Sequence, residues 1–176
     1  GPANCLMDGW MARHRGQAFD ADGAWAATGR LLPELLAVLL AEPYFALSPP
    51  KSTGRDLFHL DWLDARLSPG QTPEDVQATL LELTARSVAD ALKAEMPTAA
   101  TLIACGGGAG DGLLMQRLAA LLPGMSIETS ASHGLPVDQV EAAAFAWLAM
   151  CFKAKRPGNL PAVTGAAGLR LLGALY

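Results

Sequence analysis

The sequence lacks several features that would each name a function class. Its most apolar stretch, residues 31–41, is too short to cross a bilayer and contains Pro33 and Glu34, so it reads as a core helix. Charge of one sign is not gathered anywhere: the net charge is −4, with no basic stripe. Nucleic-acid binding therefore has no electrostatic support. Cys5, Cys105 and Cys151 are far apart, with no Cys-x-x-Cys pair and no His/Cys cluster at zinc spacing. His14, His59 and His133 are equally scattered and read as surface or loop residues, so no metal ligands are expected. An odd number of thiols, two of them inside apolar runs, is expected to be reduced and buried, which favours a reducing compartment. No basic n-region opens the chain, so no signal peptide is read. There is no starting methionine either, and a fragment of a longer protein is the expectation.

What is present suits one globular domain. Half of the 176 residues are apolar and 17% are charged, enough to bury a single core. Residues 4–14 read as a helix with Leu6, Trp10 and Met11 on one face, ended by Gly16. Residues 20–23 read as a turn. Residues 28–42 place Leu31, Leu35, Val38 and Leu39 at helical spacing, stopped by Pro43. Pro49-Pro50 is expected to be extended. Phe58, Leu60 and Trp62 alternate at period two, which fits either a strand or a first helical turn. Thr72-Pro73-Glu74-Asp75 is a helix start with a capping hydroxyl, proline at the first position and acids at the positive end of the dipole. That helix should run to Glu95, before Pro97. Residues 101–105 read as a buried strand, residues 113–121 as a helix, residues 127–129 as a second strand and residues 137–153 as a long helix. The apolar tail, residues 169–176, reads as an edge strand. Helices interleave with a few strands, so the class is α/β.

Four places could carry chemistry. The run of strand, Gly106-Gly107-Gly108 and helix would let a phosphate or nucleotide approach the backbone closely, at a helix N-terminus; a plain tight turn explains it as well. Glu141 shares a helix face with Val137, Ala144, Phe145 and Leu148, where a carboxylate is costly without a partner or a role. Asp138 would add a second acid, and paired carboxylates can divide acid, base and orienting work; a boundary glutamate in an ion pair is the bland alternative. Lys51-Ser52-Thr53-Gly54-Arg55 has the letters of a phosphate loop in the wrong order and is not a Walker A loop. Arg55 can still clamp an anion bidentately, or lie in a solvated loop. Asn4, after Gly1-Pro2-Ala3, can cap the first helix.

Taken together, the pieces resemble the anhydro-N-acetylmuramic acid kinase family. Residues 1–10, Gly1-Pro2-Ala3-Asn4-Cys5-Leu6-Met7-Asp8-Gly9-Trp10, look like that family's Asp-Thr-Gly-Pro-x-Asn-x-x-x-Asp motif, beginning at its glycine. Residues 49–58, Cys105-Gly106-Gly107-Gly108-Ala109, residues 140–149 and residues 158–166 are similar to four further blocks, in family order. Each block is weak alone, but five in order are specific.

The resemblance implies the second lobe of an actin-like ATPase fold of the hexokinase and Hsp70 type, helix-rich with a small mixed sheet. Residues 1–176 would form a single C-terminal lobe, with the N-terminal lobe absent from the chain. It implies ATP and Mg2+, an anhydro sugar as the small-molecule partner, a homodimer and a cytoplasmic location, with no nucleic acid and no membrane. The reaction would open the anhydro ring with water and place a phosphoryl group on the sugar's 6-oxygen. The implied nucleotide contacts are Gly1, Asn4, Gly106, Gly107, Gly108 and Ala109. Glu141 would hold the sugar, and Arg55 is a further substrate-binding candidate. The family's general-base aspartate and first phosphate loop would lie upstream of Gly1, so the chain alone is expected not to turn over. Asp111 departs from the family by standing where Gly-Gly-Gly-Ala-x-Asn has asparagine; it can cap the next helix but cannot donate a hydrogen bond when ionised. Other readings are a different sugar kinase of this fold, a non-catalytic nucleotide-binding module and a purely structural α/β domain.

Overall fold

The structure, a computed structural model, describes residues 1–174. Its spine is helix α5 (Pro73–Glu95). Thr72 caps it by accepting from the Asp75 N–H, and Pro73 occupies the first turn, where its missing N–H costs nothing. From Val76 to Ala85 nearly every side chain is buried, polar ones included. This happens because α1 (Cys5–Arg15), α2 (Pro33–Leu40), α6 (Gly112–Leu121) and a 3₁₀ turn at Ala26–Thr28 all pack on it. Leu6, Met7, Trp10 and Met11 of α1 enter the core, and Gly16 ends that helix in the left-handed conformation. Trp10 Nε1 donates to the Pro73 carbonyl at 2.8 Å, and Thr84 Oγ1 to the Ala3 carbonyl at 2.7 Å. Both bonds lock the start of the chain onto α5.

Helix α2 is shorter than its periodicity predicts. Residues 28–32 stay outside it because Pro33 fixes the first turn, and Leu32 N–H goes instead to Thr79 Oγ1 at 3.0 Å. Leu35, Leu36 and Leu39 are buried, while Leu31 and Val38 are exposed. Pro43 ends that stretch and opens α3 (Pro43–Ala46). The alternating residues 58–62 resolve as helical: α4 (Leu60–Asp64) is capped by the His59 ring, which accepts from Trp62 N–H.

Strands β1 (Thr101–Ala104) and β2 (Ser126–Thr129) pair in parallel, Leu102 opposite Ile127, with α6 as the crossover. The α/β, helix-rich class with a small sheet is thus what the chain adopts. No antiparallel strand occurs among the described residues. The burial predicted for β1 fails: Ile103 is 48% exposed. A two-stranded sheet with one strand on each side of a single crossover leaves a face and both edges open among the described residues.

Helix α7 (Val140–Lys153) starts three residues later than predicted, so Asp138 lies in the preceding turn rather than on the helix. Its apolar residues are also open, with Phe145 64% and Trp147 47% exposed, and Cys151 is its buried residue. A short helix α8 (Pro161–Thr164) follows. Residues 169–174 form no strand; Gly158 N–H donates to the Arg170 carbonyl, and Asn159 bonds the Gly168 carbonyl and the Arg170 N–H. The rest of the predicted edge strand, Leu175 and Tyr176, lies outside the described residues. The three cysteines are free, but only Cys151 is buried; Cys5 is half-buried and Cys105, at the end of the open strand β1, is exposed.

Candidate nucleotide cleft

A cleft of about 300 Å³ opens between the start of α1, residues 18–22 and the glycine turn after β1. Asn4, Asp8, Phe19, Asp22, Gly107 and Gly108 are among its lining residues. Each wall has a local cause. Ala3 sits in the left-handed region, with its carbonyl held by Thr84, and this turns Asn4 toward the glycines. A side chain at Gly107 would meet Asn4 Nδ2 at 3.6 Å, and one at Gly108 would meet Asn4 Oδ1 at 3.9 Å. Asn4 does not cap α1 as its position suggests; its Nδ2 donates to Asp8 Oδ2 at 2.6 Å, one turn on.

The glycine turn is a 3₁₀ turn, Gly107–Gly110, entered through Gly106 at φ 73°, a conformation only glycine adopts cheaply. Gly106 N–H donates to the Val137 carbonyl at 2.8 Å, which ties the turn to the segment leading into α7. Asp111 closes it and caps α6, accepting from Leu114 N–H at 2.9 Å.

The third wall hangs on Asp20. Its two carboxylate oxygens accept from the N–H groups of Trp25 and Ala26 at 2.9 and 2.8 Å, and buried Gln77 of α5 approaches at 3.4 Å. Gly23, at φ 65°, lies so close to α6 that a methyl group there would meet Leu113 Cβ at 2.7 Å and Asp111 Oδ1 at 2.8 Å.

The cleft is acidic. Asp8, Asp20, Asp22 and Asp111 line it, and no lysine or arginine does. Burial pushes the Asp8 acid up, against the pull of the Asn4 amide and Arg55, with Asp111 adding to the rise. Burial also raises Asp111, against the Leu114 N–H and with help from Asp20 and Asp22.

Of the residues singled out in the sequence, the fold brings Asn4, Gly107 and Gly108 to this cleft, with Gly106 and Ala109 in the same turn. Gly1 points elsewhere: its amine is 3.4 Å from Tyr44 Oη, and it abuts Ser87 on α5. Arg55 is exposed beyond the cleft lining, close enough for its charge to lower the acids of Asp8 and Cys5. Glu141 is in the first turn of α7, exposed and outside the cleft. The desolvation cost argued from its apolar neighbours is therefore absent here. Phe19, Asp20 and Asp22 escaped the sequence reading, which saw only a turn at 20–23. Asp8 stood inside a quoted motif without a role.

The sequence profile of the family described as anhydro-N-acetylmuramic acid kinase matches residues 1–176, the whole chain. The chain belongs to the anhydro-N-acetylmuramic acid kinase family. Relatives bearing that name include one from Xanthomonas campestris pv. campestris (strain 8004), 59% identical over 177 residues that cover 100% of this chain and 47% of the relative. Another, from Cupriavidus pinatubonensis (strain JMP 134 / LMG 1197), is 54% identical over all of this chain and 48% of its own length. A third, from Pseudomonas putida, is 54% identical over all of this chain and 49% of its own length. The chain thus spans about half the length of these anhydro-N-acetylmuramic acid kinases. No helix among the described residues is long and apolar enough to cross a membrane, and no group of three or more His, Cys, Asp or Glu among them could hold a metal ion.

Proposed function

We propose that the polypeptide carrying this chain is an ATP-dependent kinase that converts 1,6-anhydro-N-acetylmuramic acid and water to N-acetylmuramic acid 6-phosphate, in peptidoglycan recycling. Residues 1–176 would supply one lobe of two. The observation that carries the reading is the meeting of Asn4 and Asp8 with Gly107 and Gly108 in one cleft, although about a hundred residues separate them. Bare glycine backbone admits a nucleotide closely, and the Asn4 amide offers both a donor and an acceptor. The open apolar face of α7 suits a surface that a second lobe covers.

Phosphoryl transfer depends on positioning and charge stabilisation more than on covalent help. Mg2+ bound with ATP would neutralise phosphate charge; such ions keep waters and use one or two carboxylates. No cleft carboxylate is given that role, since an acidic lining without lysine or arginine repels the triphosphate that carries the ion. In this reading Glu141, exposed and outside every ion pair among the described residues, holds the sugar, and Arg55 steadies an anionic group at the cleft edge. The base that activates water and the first phosphate loop would come from residues outside this chain, so this chain alone would not turn over. Free thiols and the use of ATP go with a cytoplasmic location. A homodimer is part of the same proposal, checked by light scattering.

The test is an assay of a polypeptide carrying this chain at the relatives' full length, with ATP, Mg2+ and the anhydro sugar, beside its Glu141→Ala variant. Formation of the 6-phosphate, with a loss of about 100-fold or more in the variant, is expected. Turnover by the 176-residue chain alone would overturn the one-lobe reading. ATP binding with no phosphorylation of this or related sugars would favour a nucleotide-binding module, a reading that the absence of any cation from the cleft lining also supports.

A further inference from the structure

The geometry points to Phe19 as the residue on which the nucleotide base stacks, an assignment that rests on reading the cleft as a nucleotide site. Phe19 is a large apolar side chain left 62% exposed, and it lines the cleft with Gly107 and Gly108. It takes part in no ring–ring contact among the described residues. Its position is nonetheless fixed. Gly16 sets the exit from α1, and the next residue, Asp20, is anchored through both carboxylate oxygens to the Trp25 and Ala26 N–H groups. An aromatic ring held on a pinned backbone with a bare face loses little freedom when a planar ligand covers it.

The electrostatics select which part of a nucleotide enters. A triphosphate is repelled by four carboxylates with no lysine or arginine among the lining residues. The neutral base and its ribose are not, and an exocyclic amine and ribose hydroxyls supply donors where the protein supplies acceptors. A base lying along the glycine backbone needs an apolar plane for its other face, and Phe19 is the aromatic residue lining the cleft.

The experiment measures Mg-ATP affinity by calorimetry on a polypeptide carrying this chain at the relatives' full length, for wild type, Phe19→Ala, Phe19→Leu and Phe19→Tyr. Stacking on an aromatic ring predicts that Ala and Leu bind ATP about 5- to 150-fold more weakly, while Tyr binds within about twofold of wild type. Steady-state kinetics should show the loss in the KM for ATP, with kcat little changed. Wild-type affinity in Phe19→Ala, or equal affinity in Leu and Tyr, would overturn the stacking role and leave the nucleotide cleft standing. Failure of wild type to bind Mg-ATP would remove the nucleotide reading and this inference with it.

Discussion

Arg117 grips Glu82 through two nitrogens: Nε donates to Oε2 at 2.5 Å and Nη2 to Oε1 at 2.8 Å. Arg86 adds a third bond, to Oε1 at 2.6 Å. Glu82 lies on α5 and is buried; Arg117 lies on α6, whose N-terminus carries Asp111 and the glycine turn. The pair therefore fixes one wall of the cleft to the spine of the fold. The Arg117 bond holds the Glu82 acid below the usual carboxylate range, burial opposes it, and Arg86 assists.

Arg117→Ala should destabilise the protein by about 1–3 kcal/mol at pH 7, less than a fully buried pair would lose, because both arginines reach water and Arg86 remains. The pH dependence has a definite sign. Glu82 titrates lower in the folded state than in the unfolded state, so its contribution is complete above the unfolded pKa, about 4.3, and fades as pH falls through the folded value. Urea melts should show the gap between wild type and Arg117→Ala narrowing below about pH 4. A gap as large at pH 3 as at pH 7 would show that lost packing, not the ion pair, accounts for it.

Gly29→Ala should be far more damaging than its small size suggests. A methyl group there would lie 2.0 Å from the Glu74 carbonyl oxygen and 2.4 Å from its carbon, in backbone that cannot step aside. The obstacle is steric, since φ is −90° and suits any residue. The same seam holds the bond from Arg30 N–H to Asp75 Oδ1 at 2.6 Å, so the turn and α5 must part together. A loss of about 3 kcal/mol or more is expected. Gly70→Ala is the control: its φ is 86° with open space around it, so only left-handed strain of about 1–2 kcal/mol applies. Denaturation midpoints of the two variants decide it; equal losses would mean that the Gly29 seam relaxes.

The contrast between α5 and α7 shows what the sequence could reveal. Thr72, Pro73 and the approach of Pro97 mark α5 at both ends because capping and proline geometry are local, and the helix spans Pro73–Glu95. Asp111 as a cap and Gly106 as a tight entry were legible for the same reason. The apolar face of α7 was legible as a face, but not its exposure. Periodicity says which residues share a side, while burial depends on what packs there, and among the described residues little does. The wall at 18–22 was legible only as a turn at 20–23, for a different reason. Asp20 matters through N–H groups five and six residues ahead and through Gln77 on a distant helix, and no local pattern announces such bonds.

Glu141→Ala should leave stability within about 0.5 kcal/mol of wild type, because the side chain is exposed and its helix-dipole contribution at the first turn of α7 is small. Thermal melts of the variant used for the kinase assay check this. An unchanged melting temperature beside lost turnover would assign the effect to substrate, whereas a large drop would mean that Glu141 supports the fold.

Asp111→Asn should raise stability at neutral pH. Burial and the charges of Asp20 and Asp22 raise the Asp111 acid, so the folded protein holds its proton more tightly than the unfolded chain does. For a carboxyl group this means that stability falls as pH climbs from the unfolded pKa, about 3.9, through the folded one, with the full penalty present above both. Asparagine caps a helix about as well as aspartate and carries no charge to desolvate. The variant should therefore melt higher than wild type at pH 7, and the gain should vanish by about pH 3, where both carry a neutral group. A lower melting temperature at pH 7 would mean that the attraction of the ionised cap for the α6 dipole outweighs burial and repulsion, and that the acidity of this cleft is stabilised by the helix rather than imposed on it.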